Sequence, residues 1–148
     1  MKRANYLSSC PVLIKHLINQ ESLIKNAAEA TFGLTIWELI KLRVSQLNQC
    51  AFCIAMHTKQ AREYGELPNR IIGLSAWQDM PLYTEHERLA LKLCEKLTQA
   101  QPIDDTFYQT LTDAFSAQGL VALTVAINAI NSWNRIVKTF KPDVEFNE

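Results

Sequence analysis

The sequence predicts an all-α, single-domain helical bundle of about six to seven helices that spans residues 1–148. The chain contains only 4 glycines and 5 prolines. No segment alternates polar and apolar residues for long enough to indicate a strand, whereas apolar residues recur at helical spacing almost everywhere. A chain of this length buries roughly two thirds of its unfolded surface, so a single hydrophobic core suffices without structural disulfides. No repeat or linker divides the chain.

The first predicted helix begins at Cys10 or Pro11 and ends near Thr31. Apolar residues recur along it every three or four positions, which is the spacing of one face of an α-helix. Gly33 follows and suits the end of a helix, because glycine adopts the left-handed backbone conformation without strain. The residues expected on the buried side are Val12, Leu13, Leu17, Leu23, Ile24 and Ala27.

The second and third helices are separated by only a short polar interruption. The second is expected from about Ile36 to Leu47. Thr35 precedes it and Glu38 follows three residues later, which is the Thr-x-x-Glu spacing of a capping box. The third helix begins at Cys50 and runs to Gly65, which suits a left-handed C-terminal cap.

The second half of the chain predicts four more helices, each marked by a start signal. A proline suits the first turn of one, a second Thr-x-x-Glu box opens the next, and an aspartate caps the third. The expected ranges are Pro68 to about Trp77, Thr84 to about Ala100, Asp104 or Asp105 to Phe115, and Ala117 to Phe140.

The last helix is apolar almost all round between Leu120 and Ile130, as expected of an element buried on several sides. Thr124 and Asn128 break this stretch, and no uninterrupted apolar run reaches the roughly 18 residues that a membrane span needs. We therefore expect no membrane crossing. In a chain this short, such a helix also suggests that a second subunit covers part of it.

The charge balance and the start of the chain exclude several partners and locations. The 15 basic and 15 acidic residues give a formal net charge of zero, which offers no long-range attraction for nucleic acid or an anionic membrane. The segment between Arg3 and Cys10 is too short for the hydrophobic part of a signal peptide. We therefore expect a cytoplasmic protein, in which a close cysteine pair is more often catalytic or metal-binding than structural.

The strongest candidate for a reactive centre is the pair Cys50 and Cys53. Two thiols separated by two residues at the start of a helix lie one turn apart on the same side, close enough to interconvert between dithiol and disulfide. The unsatisfied N–H groups and the positive dipole end of the helix stabilise a thiolate, which is the nucleophile. Cys50 is nearest to that end and should be affected most.

His57 and Glu38 are the candidate proton-transfer groups. His57 follows Cys53 by four residues, so its imidazole lies on the same helical stripe. It can accept a thiol proton or, once charged, lower the pKa of a neighbouring thiol, so proximity to His57 favours Cys53 as the reactive thiol where the helix end favours Cys50. Glu38 belongs to the preceding helix and can orient the imidazole or complete a proton relay if the two helices pack together.

Simpler interpretations remain open for each of these residues. Glu38 could be only the second half of the Thr35 capping box, and His57 could be an interface histidine. A metal site would need further ligands, which show no paired spacing, and haem attachment would need a histidine directly after Cys53. The other cysteines, Cys10 and Cys94, are expected to be buried structural thiols. The remaining candidate ligands are Cys10, Cys94, His16 and His86.

A longer motif contains these four site residues. It reads Glu38-Leu-Ile-Lys-Leu-Arg43-Val-Ser45-Gln-Leu-Asn48-Gln-Cys50-Ala-Phe-Cys53-Ile-Ala-Met-His57, and it resembles the core motif of the alkylhydroperoxidase D-like branch of the carboxymuconolactone decarboxylase superfamily. The likeness extends through Trp77, Pro81-Leu82-Tyr83-Thr84-Glu85 and the closing Asn128-Ala-Ile-Asn131-Ser-Trp133-Asn134-Arg135. It therefore covers nearly the whole chain.

This resemblance implies an activity and an assembly. It implies a helical bundle that forms homotrimers or homohexamers, and a peroxiredoxin-like enzyme that reduces small hydroperoxides with no bound cofactor or metal. A Cys50–Cys53 disulfide would form in each cycle and be reduced by an external dithiol, in the family a lipoylated protein or a peroxiredoxin. The best-characterised peroxidases carry an extra histidine before the second cysteine, where this chain has Phe52, so the relay is one imidazole short.

Two other functions remain open on the sequence. One is a lactone decarboxylase, as the name of the superfamily suggests, which would not depend on the cysteine pair. The other is a non-enzymatic redox sensor or stress-response module, in which the same disulfide forms but changes the assembly instead of turning over.

Overall fold

The computed structural model describes residues 1–143, which form eight α-helices and one 3₁₀ turn and contain no strand. The all-α prediction is thereby confirmed. The one-turn helix α1 was not predicted; the Asn5 side chain caps it by accepting from the Leu7 N–H at 3.0 Å. The elements are α1 (Tyr6–Ser9), α2 (Pro11–Ala30), α3 (Leu34–Leu47), α4 (Ala51–Glu63), α5 (Pro68–Gly73), the 3₁₀ turn (Leu74–Ala76), α6 (Glu85–Thr98), α7 (Asp105–Ala114) and α8 (Ala117–Phe140).

Helix α3 is the central helix of the bundle. It packs against α4, α6 and α8, while α2 lies along α8. Most of α3 is buried, so nearly every side of it meets another helix. The largest fully buried side chains of the core include Leu39, Ile40, Leu42, Leu91, Leu123 and Ile127. This packing fixes α4, which carries the cysteine pair, against the helix that carries Glu38.

Most of the predicted start and stop signals are confirmed. The Thr84 hydroxyl accepts from the Glu87 N–H, and the Glu87 carboxylate accepts from the Thr84 N–H, so α6 opens with a full capping box. Asp104 caps α7 through the Phe107 N–H at 2.9 Å. Gly65 has a φ of +88°, which is the left-handed conformation expected after the end of α4.

The predicted capping box at the start of α3 is wrong. This helix begins at Leu34, its N-cap is Gly33, and no side chain caps it. Gly33 has a φ of +92° and turns the chain between α2 and α3 in a left-handed conformation. Since Glu38 takes no part in a cap, a local role does not explain why this carboxylate is buried.

The predicted buried side of α2 is wrong at three of its positions. Val12, Leu13 and Leu23 are exposed, and the buried stripe is instead Ile14, Ile24 and Ala28. Helix α2 carries apolar residues on two sides, so their periodicity does not determine which side meets α8. Among the cysteines, Cys94 is buried as predicted, but Cys10 is exposed because it precedes α2 at the edge of the bundle.

Helix α8 is long and apolar enough to cross a membrane by length and composition alone. Half of its apolar window is buried inside the bundle, where it packs against α2, α3 and α6. Its apolar character is therefore explained by its role as a core helix. On its outer side, Val121 and Val125 are exposed.

Candidate active site

The two cysteines form a disulfide at the start of α4. Cys50 is the N-cap residue with extended backbone angles, and Cys53 lies in the first turn. Their Cα atoms are 5.3 Å apart. Both residues are only 1% exposed and pack against Val137 of α8, with the Phe52 ring partly buried beside them. The structure thus brings the two sulfurs together as the sequence predicts.

The turn that presents Cys50 is fastened to α8 by amide hydrogen bonds. The Asn48 side chain donates to the carbonyl oxygens of the Asn131 and Asn134 side chains, both at 2.9 Å. The Lys138 ammonium donates to the Asn48 backbone carbonyl at 2.6 Å. The Cys50 N–H donates to the Ser45 carbonyl at 3.0 Å. These bonds hold the first cysteine in place from two neighbouring helices.

The same network continues into the core. Asn134 is fully buried and donates to the Ser45 hydroxyl at 3.1 Å, and that hydroxyl donates to the Lys41 carbonyl at 2.7 Å. Sequence reasoning named Asn131 and Asn134 only as part of a motif and missed their structural role. The available signal was an amide at helical spacing within an apolar helix, because a buried amide requires a hydrogen-bond partner.

His57 lies one turn after Cys53 and is buried. Its Nδ1 is 3.0 Å from the Gln60 side-chain oxygen, an arrangement in which Nδ1 carries the proton and Nε2 is the acceptor. Burial and, to a smaller extent, the nearby charge of Lys41 lower the pKa of His57 from 6.5 to about 3, while the bond to Gln60 opposes the shift. At neutral pH the imidazole is therefore uncharged.

Glu38 is 2% exposed and faces a buried cation that sequence reasoning missed. Its Oε1 accepts from the Lys41 ammonium at 2.7 Å, whereas its Oε2 is buried and has no hydrogen-bond partner within residues 1–143. Burial raises the pKa of Glu38, and Lys41 opposes this shift. The signal that could have revealed the pair was a Lys three residues after a Glu in the otherwise apolar run from Ile36 to Leu42.

Lys41 acts on several groups at once. Its ammonium lies 3.6 Å from the centroid of the Trp37 ring, a cation–π arrangement. Burial lowers the pKa of Lys41, and the carboxylates of Glu38 and Glu21 oppose this shift. Glu21 of α2 also accepts from the Trp133 indole N–H at 3.2 Å. Lys41 is thus the positive centre of a partly buried charge cluster beside α4.

The four predicted site residues are brought together only in part. The sulfurs are bonded, and His57 shares the helix of Cys53. Glu38 lies on α3, which packs against α4; across the part of the chain that the structure describes, no hydrogen bond joins it to His57, whose ring bonds to Gln60. Within residues 1–143, no group of three or more His, Cys, Asp or Glu side chains could hold a metal ion.

Two clefts of opposite charge flank the site. The first, of about 220 Å³, is lined by Glu38 together with a cluster in which Arg70 binds the carboxylates of Glu66 and Glu87 at 2.6 Å each. The second, of about 320 Å³, lies along the C-terminal part of α8, and the described residues of its lining include no acidic side chain. That lining is Asn48, Asn134, Arg135, Lys138 and Thr139.

Comparison with known sequences supports the motif. The profile of the carboxymuconolactone decarboxylase family matches residues 25–96. The uncharacterized protein YdfG of Bacillus subtilis (strain 168) is 39% identical over 137 residues, which cover 91% of each chain. The uncharacterized protein YnjA of Escherichia coli (strain K12) is 30% identical over 94 residues, which cover 63% of this chain and 52% of YnjA.

Comparison with solved structures gives the same grouping. The Agrobacterium tumefaciens protein ATU0492 is of unknown function and is described as a candidate AhpD antioxidant-defence protein. It superimposes with a TM-score of 0.89 at 34% identity, and the match covers 99% of this chain and 100% of ATU0492. The debrominase Bmp8, in complex with 2,3,4-tribromopyrrole, has a TM-score of 0.75 at 16% identity, covering 90% of this chain and 70% of its own, and this likeness shows the fold alone. The chain belongs to the carboxymuconolactone decarboxylase family, on its AhpD-like branch.

Proposed function

We propose that this protein is a thiol-dependent peroxidase and disulfide oxidoreductase that reduces small hydroperoxides with Cys50 and Cys53. The observation that carries the proposal is the disulfide at the N-terminus of α4, since a helix N-terminus favours the thiolate form of a cysteine. Membership of the AhpD-like branch supports the same chemistry.

The proposed cycle begins from the reduced dithiol. One thiolate attacks the terminal oxygen of the hydroperoxide, so that an S–O bond forms, the O–O bond breaks, and the alkoxide takes up a proton to leave as the alcohol. The second thiolate then attacks the sulfur of the sulfenic acid, forming the Cys50–Cys53 disulfide, and the hydroxyl group leaves as water after protonation. Two electrons thus pass from the two sulfurs to the peroxide.

His57 is the proposed proton carrier of this cycle. Its imidazole is neutral in the disulfide form and can accept a thiol proton at Nε2 when the pair is reduced. A thiolate formed one turn away would then favour the imidazolium by charge attraction. We propose that the Glu38 carboxylate assists this proton transfer, because its Oε2 is buried and has no hydrogen-bond partner among the described residues.

Phe52 gives the cysteine pair an apolar neighbour at the position where the best-characterised peroxidases have a histidine. Its ring packs against the cluster of Cys50, Cys53 and Val137. Proton transfer in this chain would therefore use a single imidazole, that of His57. We expect the introduction of the second imidazole, Phe52→His, to accelerate peroxide reduction at neutral pH.

The cycle is closed by a dithiol reductant. Its thiolate attacks one sulfur of the disulfide, forms a mixed disulfide, and is released when its second thiol attacks in turn. We propose a lipoylated or other dithiol protein for this role, in the cytoplasm, and a homo-oligomeric enzyme, because the exposed apolar side chains of α2 and α8 provide a surface for a second copy.

The test is to mix the reduced protein with an organic hydroperoxide and to count free thiols. We expect two thiols to be lost per chain in the native protein. The single variants Cys50→Ser and Cys53→Ser should each fail to form the internal disulfide, and the one that still forms a sulfenic acid, trapped with dimedone, identifies the cysteine that meets the peroxide. Unchanged thiols in the native protein would refute the proposal.

A further inference from the structure

The basic cleft borders the turn that leads into the cysteine pair. Val137 of α8 packs in one cluster with the two cysteines, and the cleft residues of the same helix precede and follow it in sequence, with Asn134 and Arg135 before it and Lys138 and Thr139 after it. Asn48 completes the lining from the turn that leads into Cys50. A cleft of about 320 Å³ is within the size range of small-molecule sites.

Among the described residues that line this cleft, the charged side chains are Arg135 and Lys138. Lys138 is held against the Asn48 carbonyl, so its cation is fixed at the turn before Cys50. Arg135 projects from the adjoining position of α8, and the Arg3 guanidinium donates to the Thr139 carbonyl at the rim. Because the whole chain has a net charge of zero, this excess of positive charge is a property of the cleft.

The cleft on the other side of the site has the opposite character. Its lining contains the carboxylates of Glu38, Glu66 and Glu87 and the guanidinium of Arg70, and Glu38 is also paired with Lys41, so one more carboxylate than cations remains. An anion is therefore disfavoured there and favoured along α8. The two clefts together would direct a negatively charged small molecule to the end of the molecule that carries the sulfurs.

We infer that the cleft formed by Asn48, Arg135 and Lys138 binds the carboxylate of an anionic small-molecule substrate and delivers it to the cysteine pair. Under the proposed function, on which this assignment of substrate class rests, the preferred oxidant is a hydroperoxide that bears a carboxylate. The Arg135 guanidinium and the Lys138 ammonium supply both the hydrogen bonds and the charge preference, since the amide and hydroxyl donors of the lining already bond within the protein.

The first arm of the test does not depend on peroxidase activity. The reduced protein, in a Cys10→Ser background because Cys10 is an exposed thiol, is alkylated with iodoacetate and, separately, with the neutral iodoacetamide. In both reactions a thiolate forms a C–S bond and iodide leaves. The normalised ratio is the rate with iodoacetate divided by the rate with iodoacetamide, divided again by the same quotient for a free thiol. We expect it to be about 10 and to fall with added salt.

Charge variants show whether this preference comes from the cleft. Arg135→Gln leaves the bond between Lys138 and Asn48 intact and should lower the normalised ratio several-fold, and the double variant with Lys138→Gln should bring it close to one. Lys138→Arg should retain the preference. The matched control is Lys92→Gln, an exposed cation of α6 that lies over the Phe107 ring, which should change nothing.

The second arm uses cumene hydroperoxide that carries a para-carboxylate and the methyl ester of the same compound. The acid should oxidise the thiols about tenfold faster than the ester, and the double variant should remove the difference. A normalised alkylation ratio near one, or one that the double variant leaves unchanged, would overturn the anion site. An alkylation preference without thiol oxidation by either hydroperoxide would instead refute the proposed function and leave the anion site standing, whereas equal oxidation rates for acid and ester would overturn the substrate class.

Discussion

The cysteine end and the carboxylate end of the site are built by opposite means. At the cysteine end, the buried contacts join neutral amide and hydroxyl groups: Asn48 donates to Asn134, and Asn134 donates to Ser45, while the charged Lys138 that bonds to the same turn is exposed. At the carboxylate end, two opposite charges are buried together, and one oxygen of Glu38 has no partner. The neutral network holds atoms in place, while the charged pair responds to protons.

This difference matches what each end must do in the proposed cycle. Two sulfurs can bond only within a narrow range of separations, so a network of satisfied hydrogen bonds on two helices suits them. A proton carrier instead needs a protonation state that shifts with its neighbours, and buried charges provide this because their pKa values depend strongly on desolvation and pairing. Disrupting each end should therefore give a different signature.

The largest effect should come from Lys41→Met, which leaves the Glu38 carboxylate buried and without its cation. Removing one partner of a buried ion pair typically costs 3–5 kcal/mol, and we expect about 3 kcal/mol here, measured by urea unfolding near pH 7 with the disulfide intact. Burial raises the pKa of Glu38, and more so without Lys41, so the stability of the variant should recover as the pH falls and the carboxyl becomes protonated in the folded state.

The matched control for this experiment is the double variant Lys41→Met with Glu38→Gln, which removes both charges. It should regain most of the lost stability, because neither buried charge remains. The stability of the double variant should also no longer rise as the pH falls. If Lys41→Met were as stable as the native protein at every pH, the buried ion pair would not stabilise the carboxylate end.

The next effect should come from Asn134→Leu at the cysteine end. The variant removes the buried amide that accepts from Asn48 and donates to Ser45, and an unsatisfied buried polar group costs about 2 kcal/mol. We expect a loss of this size in urea unfolding that does not vary between pH 5 and 8, since no titrating group is involved.

A control on the same helix separates loss of the network from loss of an amide. Asn128 of α8 is exposed, so Asn128→Leu should change the stability by no more than about 0.5 kcal/mol. Equal losses in the two variants would mean that the amide network does not hold the turn before Cys50. A loss at Asn134 that varied strongly with pH would contradict the contrast between the two ends.

The sequence predicted the features that depend on local chemistry. The ends of the helices were predicted from glycines, from the capping-box spacing at Thr84 and from the Asp104 cap. The same reasoning was wrong at Thr35, where an identical Thr-x-x-Glu spacing forms no cap. Spacing specifies which groups could meet, but the burial of Glu38 against Lys41 depends on the packing of α3 at the centre of the bundle.

The site was predicted where its residues lie on one helix and was incomplete where other helices contribute. Cys50, Cys53 and His57 share α4, so their proximity followed from helical geometry. The anchoring of Asn48 by α8 joins residues more than 80 positions apart, which no local pattern reveals. Burial of α2 was mispredicted for a related reason: its apolar residues lie on two sides, and only tertiary contacts choose between them.

His57 lies between the two ends, and the pH dependence of the unfolding free energy shows whether its imidazole is neutral in the folded protein. Its pKa is about 3 in the folded protein against 6.5 for the free side chain, so folding favours the neutral form. The stability that this contributes is fully present above pH 6.5 and is lost as the pH falls towards 3. Relative to His57→Gln, the native protein should lose at most about 1.4 kcal/mol per pH unit across this window. Parallel stability curves for the two proteins would show that the imidazole titrates normally.

The smallest effect should come from Thr35→Ala, which tests whether the carboxylate end depends on a helix cap. Because α3 has no side-chain cap, the loss of unfolding free energy should stay within about 0.5 kcal/mol. The matched variant Thr84→Ala removes a real cap at the start of α6 and should cost about 1 kcal/mol in the same urea titration. If Thr35→Ala cost as much as Thr84→Ala, Glu38 would be held in part by a cap, and the contrast between a neutral end and a charged end would weaken accordingly.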